Sequence, residues 1–185
     1  MKCSSCSKGT LAPSYLEGLF PCHTCTHCGG NLLMMGDYLR WKDENPDTEL
    51  SSEKHTEKAI SIDIEDTSKA MICPKTGRLM TKYKISKDTD HRLDLSPTIN
   101  AIWLDRGEWE LLKANGLAKR LNNIFTYHWQ QQINEQESQA MIQDLQERKF
   151  GDNYQQLVEI RDFLNTLENR SEAIAFVLSD DPLKS

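Results

Sequence analysis

Cys3-Ser4-Ser5-Cys6 and Cys25-Thr26-His27-Cys28-Gly29-Gly30 decide the reading of this chain. Each contains a Cys-x-x-Cys knuckle, and eighteen residues lie between the two. At this spacing four thiolates can close around one tetrahedral ion, most commonly Zn²⁺ with Zn–S bonds of about 2.3 Å. Four thiolates leave no open coordination position, so the site reads as structural and not catalytic. One Zn²⁺ per chain is expected, with Cys3, Cys6, Cys25 and Cys28 as its ligands.

Neighbouring residues offer alternatives. Cys22 lies three positions before Cys25, so Cys22, Cys25 and Cys28 form a run that could seat an iron–sulfur cluster with Cys3 or Cys6 as fourth ligand. A rubredoxin-like iron would use the same four thiolates as zinc, and a disulfide framework is the non-metal reading. The outer pairs match ribbon spacing, which favours zinc and leaves Cys22 as a spare thiol on the second hairpin. His23 and His27 read as exposed loop residues.

At 185 residues the chain can hold one or two small domains, and its 38% hydrophobic content fits a polar, soluble protein. No stretch reaches the ~18 apolar residues of a membrane span. The start, Met1-Lys2-Cys3-Ser4-Ser5-Cys6, has no apolar core, so no export signal is read there. A reducing cytoplasm follows, where clustered cysteines hold metal more often than they form disulfides. The net charge of −6 argues against general nucleic-acid affinity. Lys69 to Arg92 nevertheless carries seven cations against two anions, and Gln130 to the end carries five against eleven. Both read first as solvated faces; the basic stretch could otherwise meet an acidic partner or a phosphate backbone.

The first half echoes in the second at a period of 70 to 71 residues. Cys3 to Leu11 is matched by Cys73-Pro74-Lys75-Thr76-Gly77-Arg78-Leu79, and Cys25 to Gly30 by Ser96-Pro97-Thr98-Ile99-Asn100-Ala101. Gly36-Asp37-Tyr38 answers to Gly107-Glu108-Trp109. Of the four ligand positions the second copy keeps only Cys73, with Thr76, Ser96 and Ile99 at the others. One thiolate cannot hold zinc, so this copy must fold by packing. Met71, Ile72, Leu79, Met80, Tyr83, Ile85, Leu93, Leu95, Ile99, Ile102, Trp103 and Leu104 are the residues expected to do so. Ile99 would fill space left by the metal, and Cys73 reads as a small buried hydrophobe.

Ile102-Trp103-Leu104-Asp105-Arg106-Gly107-Glu108, together with the knuckles, resembles the transcription-factor-IIB-type zinc-ribbon family of small bacterial proteins. That pattern is a Cys-x-x-Cys knuckle, a hairpin, a Cys-x-x-Cys-Gly-Gly knuckle, then Trp-Leu-Asp-x-Gly-Glu opening a helix. The first copy matches in its ligands and departs at Asn31-Leu32-Leu33-Met34. The second matches from Trp103 to Glu108 and departs at the ligands. The resemblance covers about Cys3 to Trp41 and Cys73 to Leu112. It implies zinc binding and a ribbon fold, one copy intact and one degenerate, and little about activity.

Beyond the ribbons the pattern is helical. Asp105 and Glu108 are spaced as a capping box, predicting a helix through Leu111 and Leu112 that breaks at Asn115-Gly116. Leu117, Leu121, Ile124, Phe125, His128, Trp129 and Ile133 recur at helical steps, predicting one helix that runs on through Met141 and Leu145 to Lys149 and stops at Gly151. His128 on that stripe reads as a packed core histidine. Asp152 with Gln155 suggests another capping box, before an amphipathic helix carrying Tyr154, Leu157, Val158, Arg161, Phe163 and Leu164. A last helix over about 171–178 is expected to bury Ile174, Phe176 or Val177, and Leu178, with Asp181-Pro182 ending it. Asp43 to Thr56 reads as a mobile linker, and Ile60, Ile62 and Ile64 as a short strand.

The fold class is therefore α+β: a zinc ribbon at 1–42, a linker at 43–70, a metal-free ribbon-like unit at 71–112 and a helical domain at 113–185. No phosphate loop, nucleophile elbow or His-Glu-x-x-His motif occurs, and His55, His91 and His128 are scattered. Three functions fit: a non-enzymatic cytosolic module that binds a protein partner, a nucleic-acid-associated factor using the basic 69–92 region, and a thiol redox or metal sensor.

Overall fold

The computed structural model describes residues 1–48, 50 and 69–179. The Ile60-Ile62-Ile64 strand, most of the linker and the Asp181-Pro182 stop lie outside these residues. Two compact units emerge, residues 1–136 and residues 137–185. The ribbon at 1–42 and the unit at 71–112 thus fall within one compact body.

Unit 1 is built on a six-stranded antiparallel sheet ordered β1-β2-β3-β6-β5-β4. Its strands are β1 (Leu11–Leu16), β2 (Phe20–Cys25), β3 (Asn31–Met34), β4 (Thr81–Lys84), β5 (Arg92–Ser96) and β6 (Ala101–Leu104). The first three form one meander and the last three another, joined where β3 pairs β6. The registers repeat from one meander to the next. Cys22 opposes Leu33 in β2–β3, and Leu93, 71 positions on, is placed to oppose Leu104 by the β5–β6 register that sets Leu95 against Ile102. The knuckle backbone repeats too: Cys3 N–H donates to Gly9 C=O at 2.9 Å, and Cys73 N–H to Arg78 C=O at 2.8 Å. Gly29 and Asn100, equivalent by the same count, both adopt the left-handed conformation.

Side chains alternate across a strand, so each strand divides its residues between two faces. On one face Phe20, Cys22, Leu33, Leu93, Leu95, Ile102 and Leu104 join a core with α1 (Met35–Glu44) and α2 (Glu108–Ala114), through Tyr38, Trp41, Trp109 and Leu112. Full burial of each large side chain contributes about 1.5–3 kcal/mol. Helix α1 was not read from the sequence. It occupies in the first meander the place of α2 in the second, as the Gly36-Asp37-Tyr38 echo signalled. The other face gathers Cys3, Leu11, Cys25, Leu32, Met71, Cys73, Met80, Ala101 and Trp103. Ile72 and Leu79, expected to pack, instead face solvent from an isolated bridge.

Polar links tie the helices to the opposite meander. Trp109 Nε1–H donates to Glu17 Oε2 at 2.8 Å, and Lys113 pairs with the same carboxylate. Tyr38 Oη–H donates to the Ala118 carbonyl at 3.0 Å.

The single helix expected from Leu117 to Lys149 is broken. A 3-10 turn at Ala118–Arg120 leads into α3 (Leu121–Ile124), and α4 (Tyr127–Phe150) starts afresh. Thr126 is the reason: its hydroxyl accepts the Trp129 N–H at 3.3 Å, an N-cap geometry that starts a new helix. His128 is consequently exposed, not a core histidine. At α2 only half of the capping box forms. The Asp105 N–H donates to Glu108 Oε2 at 2.8 Å, while the Asp105 side chain turns to Trp103 Nε1–H at 2.7 Å.

Unit 2 contains the end of α4, α5 (Tyr154–Asn165) and α6 (Arg170–Leu178). No side-chain cap forms at Asp152. None of residues 137–179 is buried, so the expected burial of Phe176, Val177 and Leu178 does not occur.

Candidate metal centre

Cys3 and Cys6 sit on the first knuckle, before β1; Cys25 ends β2 and Cys28 lies in the turn to β3. All six cysteines of the chain are free thiols. The four knuckle sulfurs lie within 4.8 Å of one another, with Cys3 Sγ to Cys28 Sγ at 3.8 Å and Cys6 Sγ to Cys25 Sγ at 3.7 Å. A ZnS₄ tetrahedron with bonds of about 2.3 Å holds its sulfurs about 3.8 Å apart, so the cluster has the dimensions of a four-thiolate zinc site. Backbone N–H groups point at the sulfurs: Gly9 to Cys6 and His27 to Cys25, both at 3.4 Å. A Cβ on Gly9 would overlap Cys25 Sγ and the His27 backbone, which is why the first knuckle needs glycine there.

Electrostatics set the thiols apart. The Gly9 and Lys8 backbone N–H groups hold the Cys6 thiol down, at about 6. Burial pushes Cys3 and Cys28 up, with neighbouring knuckle thiols adding to the rise. A bound divalent cation would favour the thiolate in every one of them, since metal and proton compete for the same sulfur.

Cys22 stands on the opposite side of the sheet, in the helix-covered core with Phe20 and Leu33. Its thiol neighbours are Thr24 Oγ1 at 3.6 Å and Asn31 Oδ1 at 3.8 Å, and burial raises its pKa. It is therefore no ligand, and the Cys22-Cys25-Cys28 cluster reading fails on the alternation of β2. His23 is a half-buried strand residue and His27 an exposed turn residue.

At the other end of the same face lie Cys73, Thr76, Ser96 and Ile99, the positions equivalent to the four thiolates. Cys73 is fully buried among Met71, Met80 and Trp103, with Ile99 packed against this group. Burial raises the Cys73 thiol, but the hydroxyls of Thr76 and Ser96 together with the backbone N–H groups of Lys75 and Thr76 outweigh it and leave the pKa below the ordinary value. Between the two ends stands Trp103. Its ring covers Gly30 so closely that a Cβ there would overlap it, and its Nε1–H reaches Asp105, which also accepts from Ser5 Oγ in the first knuckle at 3.3 Å.

Beside Trp103 the face carries a buried polar group the sequence did not announce. Asp94 pairs with Lys82 at 2.9 Å and Glu108 is only 1% exposed. Burial pushes both carboxyls up; the Asp105 charge adds to the rise in Glu108, and the Lys82 ammonium opposes it at Asp94. Asp94 Oδ1 and Glu108 Oε1 have no hydrogen-bond partner among the described residues.

Over the first hairpins, fold and site together have the arrangement of a four-cysteine zinc ribbon. Residues 2–44 match the model of the TFIIB-type zinc-ribbon family, described as a transcription factor zinc-finger. Zinc ribbons of this type are typically non-catalytic. Neither a curated protein nor a solved structure matches the chain. No helix among the described residues is long and apolar enough to cross a membrane.

Proposed function

We propose that this chain is a non-enzymatic zinc-binding protein, a cytosolic module that works through a protein partner or in regulation. One Zn²⁺ would be held by Cys3, Cys6, Cys25 and Cys28. The second meander would be a ribbon whose metal has been replaced by side-chain packing around Cys73 and Ile99. The observation that carries the reading is closure of the thiolate cluster. Four sulfurs within 4.8 Å of one another can fill all four positions of a tetrahedral ion and leave none for a substrate, so the ion would stabilise and not react.

A hollow of about 170 Å³ lies beside Trp129, and one of about 60 Å³ beside Cys22. Both fall below the ~300 Å³ of ordinary small-molecule pockets. The basic 69–92 stretch is a weak candidate for a phosphate track, because Lys82 is engaged with Asp94 and the chain is acidic overall. Proximity labelling in the native host, with wild type and a Cys25→Ser/Cys28→Ser pair, tests the proposal. Protein neighbours labelled by wild type and lost with the pair support it. Micromolar binding of mixed-sequence DNA or RNA by the purified zinc form, falling linearly in log K with log salt, would replace it with the nucleic-acid reading.

A further inference from the structure

We propose that the turn counterpart to the first knuckle, at residues 72–79, docks an acidic, aliphatic-bearing peptide segment of a partner protein. Ile72 and Leu79 form its apolar anchor, and Lys69, Lys75 and Arg78 its charged rim. The inference rests on the protein-partner reading above and names the surface and the chemistry. Ile72 and Leu79 oppose each other in an isolated antiparallel bridge, and they are 50% and 63% exposed. Their neighbours Met71, Cys73 and Met80 are buried on the inner side of the same turn. The first knuckle has the same bridge, made there by Lys2 and Thr10. The copy that replaces a metal by packing thus holds two aliphatic side chains out of its core, where the copy with four thiolates holds polar ones. Packing does not account for them, since both lie outside the two apolar cores.

Charge selects the occupant. No Asp or Glu occurs from residue 69 to residue 87. Lys75 and Arg78 lie in the turn between the two aliphatic residues, and Lys69 lies just ahead of it. All three are exposed, with no carboxylate partner among the described residues. Lys82 adds nothing to the rim, because Asp94 holds its ammonium. Asp37 shares a small hollow with Lys75, but Arg40 pairs with it at 3.7 Å. Salt screens more distant charges over about 8 Å, so the three cations set the local field although the chain as a whole is at −6. Aliphatic side chains gain nothing at a phosphate backbone, and single strands are gripped through aromatic rings, of which residues 69–82 have none. An interfacial membrane site draws on Trp and Tyr, also missing from that stretch. An apolar centre inside a polar rim is the anatomy of a protein interface.

The test uses the full, zinc-loaded chain and a display library of short random peptides, selected on wild type and depleted on an Ile72→Ser/Leu79→Ser chain. Both residues are exposed, so this double variant should keep its zinc content and its tryptophan emission. The enriched peptides should combine Asp or Glu with Leu, Ile or Phe. Lys75→Glu with Arg78→Glu should weaken their binding by about tenfold or more, and added salt should weaken it on wild type. The proposal is overturned if no peptide separates wild type from the double variant, or if the enriched peptides are neutral or basic. Co-sedimentation with phosphatidylcholine–phosphatidylglycerol vesicles, lost in the double variant, overturns it in favour of a membrane. Tighter peptide binding after Asp63→Asn, Glu65→Gln and Asp66→Asn overturns it in favour of the chain's own acidic stretch. Proximity labelling by the double variant separates these failures from failure of the protein-partner reading: neighbours matching those of wild type place the partner elsewhere on the protein.

Discussion

Leu32 and Trp103 stand opposite each other where β3 pairs β6, and they are 71 positions apart, the period of the sequence echo itself. Each is therefore paired with its own counterpart, and the junction between the meanders has the symmetry of an isologous interface within one chain. The neighbouring pairs, Asn31 with Leu104 and Leu33 with Ile102, keep the same symmetry. This pairing brings a residue of the second meander over the metal knuckle of the first.

Replacing Trp103 by Ala is expected to cost about 3–5 kcal/mol through lost transfer and a cavity. It should also weaken zinc, because the ring that covers Gly30 is gone. Trp109→Ala empties a buried site on the opposite face and should cost comparable stability without that loss of zinc. Denaturant midpoints and competition with a zinc chelator separate the two effects. Equal zinc affinity in both variants would contradict the coupling.

The knuckles and the echo were legible because Cys, Gly and Trp mark positions with narrow physical requirements. Burial of Trp103 was legible from its apolar run, but its direction was not. Its position just ahead of the α2 start does not show which side of the sheet it takes, and the β3–β6 pairing turns it to the metal face. That pairing is set by long-range register, which no local pattern announces. The break at Thr126 was missed because an apolar stripe continued across it, though a Thr ahead of Trp129 and Gln130 was a usable cap signal. In unit 2 the helical period was right and the burial wrong, since period shows which residues share a side of a helix and not what covers that side.

Gly9→Ala should reduce zinc affinity by about tenfold or more, which is ~1.4 kcal/mol, since its Cβ would overlap Cys25 Sγ. Gly36→Ala is the control. Nothing lies within 4 Å of that Cβ, it sits in α1, and its helix should gain up to ~1 kcal/mol. Isothermal titration of metal into both apo variants reads the difference, and matched affinities would remove the steric argument.

Cys22→Ser should leave zinc content unchanged while costing about 1–3 kcal/mol, the penalty for a hydroxyl in an apolar core. Metal analysis with thermal denaturation checks both parts. Loss of metal in this variant would restore Cys22 as a ligand.

The buried Glu108 makes stability depend on pH in a definite sense. Its folded pKa is raised by burial and then by the Asp105 charge, so the folded chain keeps a proton that the unfolded chain releases near 4.5. Below that value the group contributes no difference. As pH rises through the folded pKa, stability falls and then levels. Glu108→Gln removes the titration, so with zinc saturating it should gain on wild type between about pH 5 and about pH 8. Asp94 shifts in the same direction and leaves part of the slope in place. Parallel urea midpoints for the two proteins across that range would contradict the assignment.

X-ray absorption at the zinc edge, with metal analysis of the purified chain, addresses the central claim. The account predicts one zinc per chain and a first shell of four sulfurs at about 2.3 Å, with no light-atom ligand. Two zinc ions per chain, iron in place of zinc, or a nitrogen or oxygen in the first shell would contradict it.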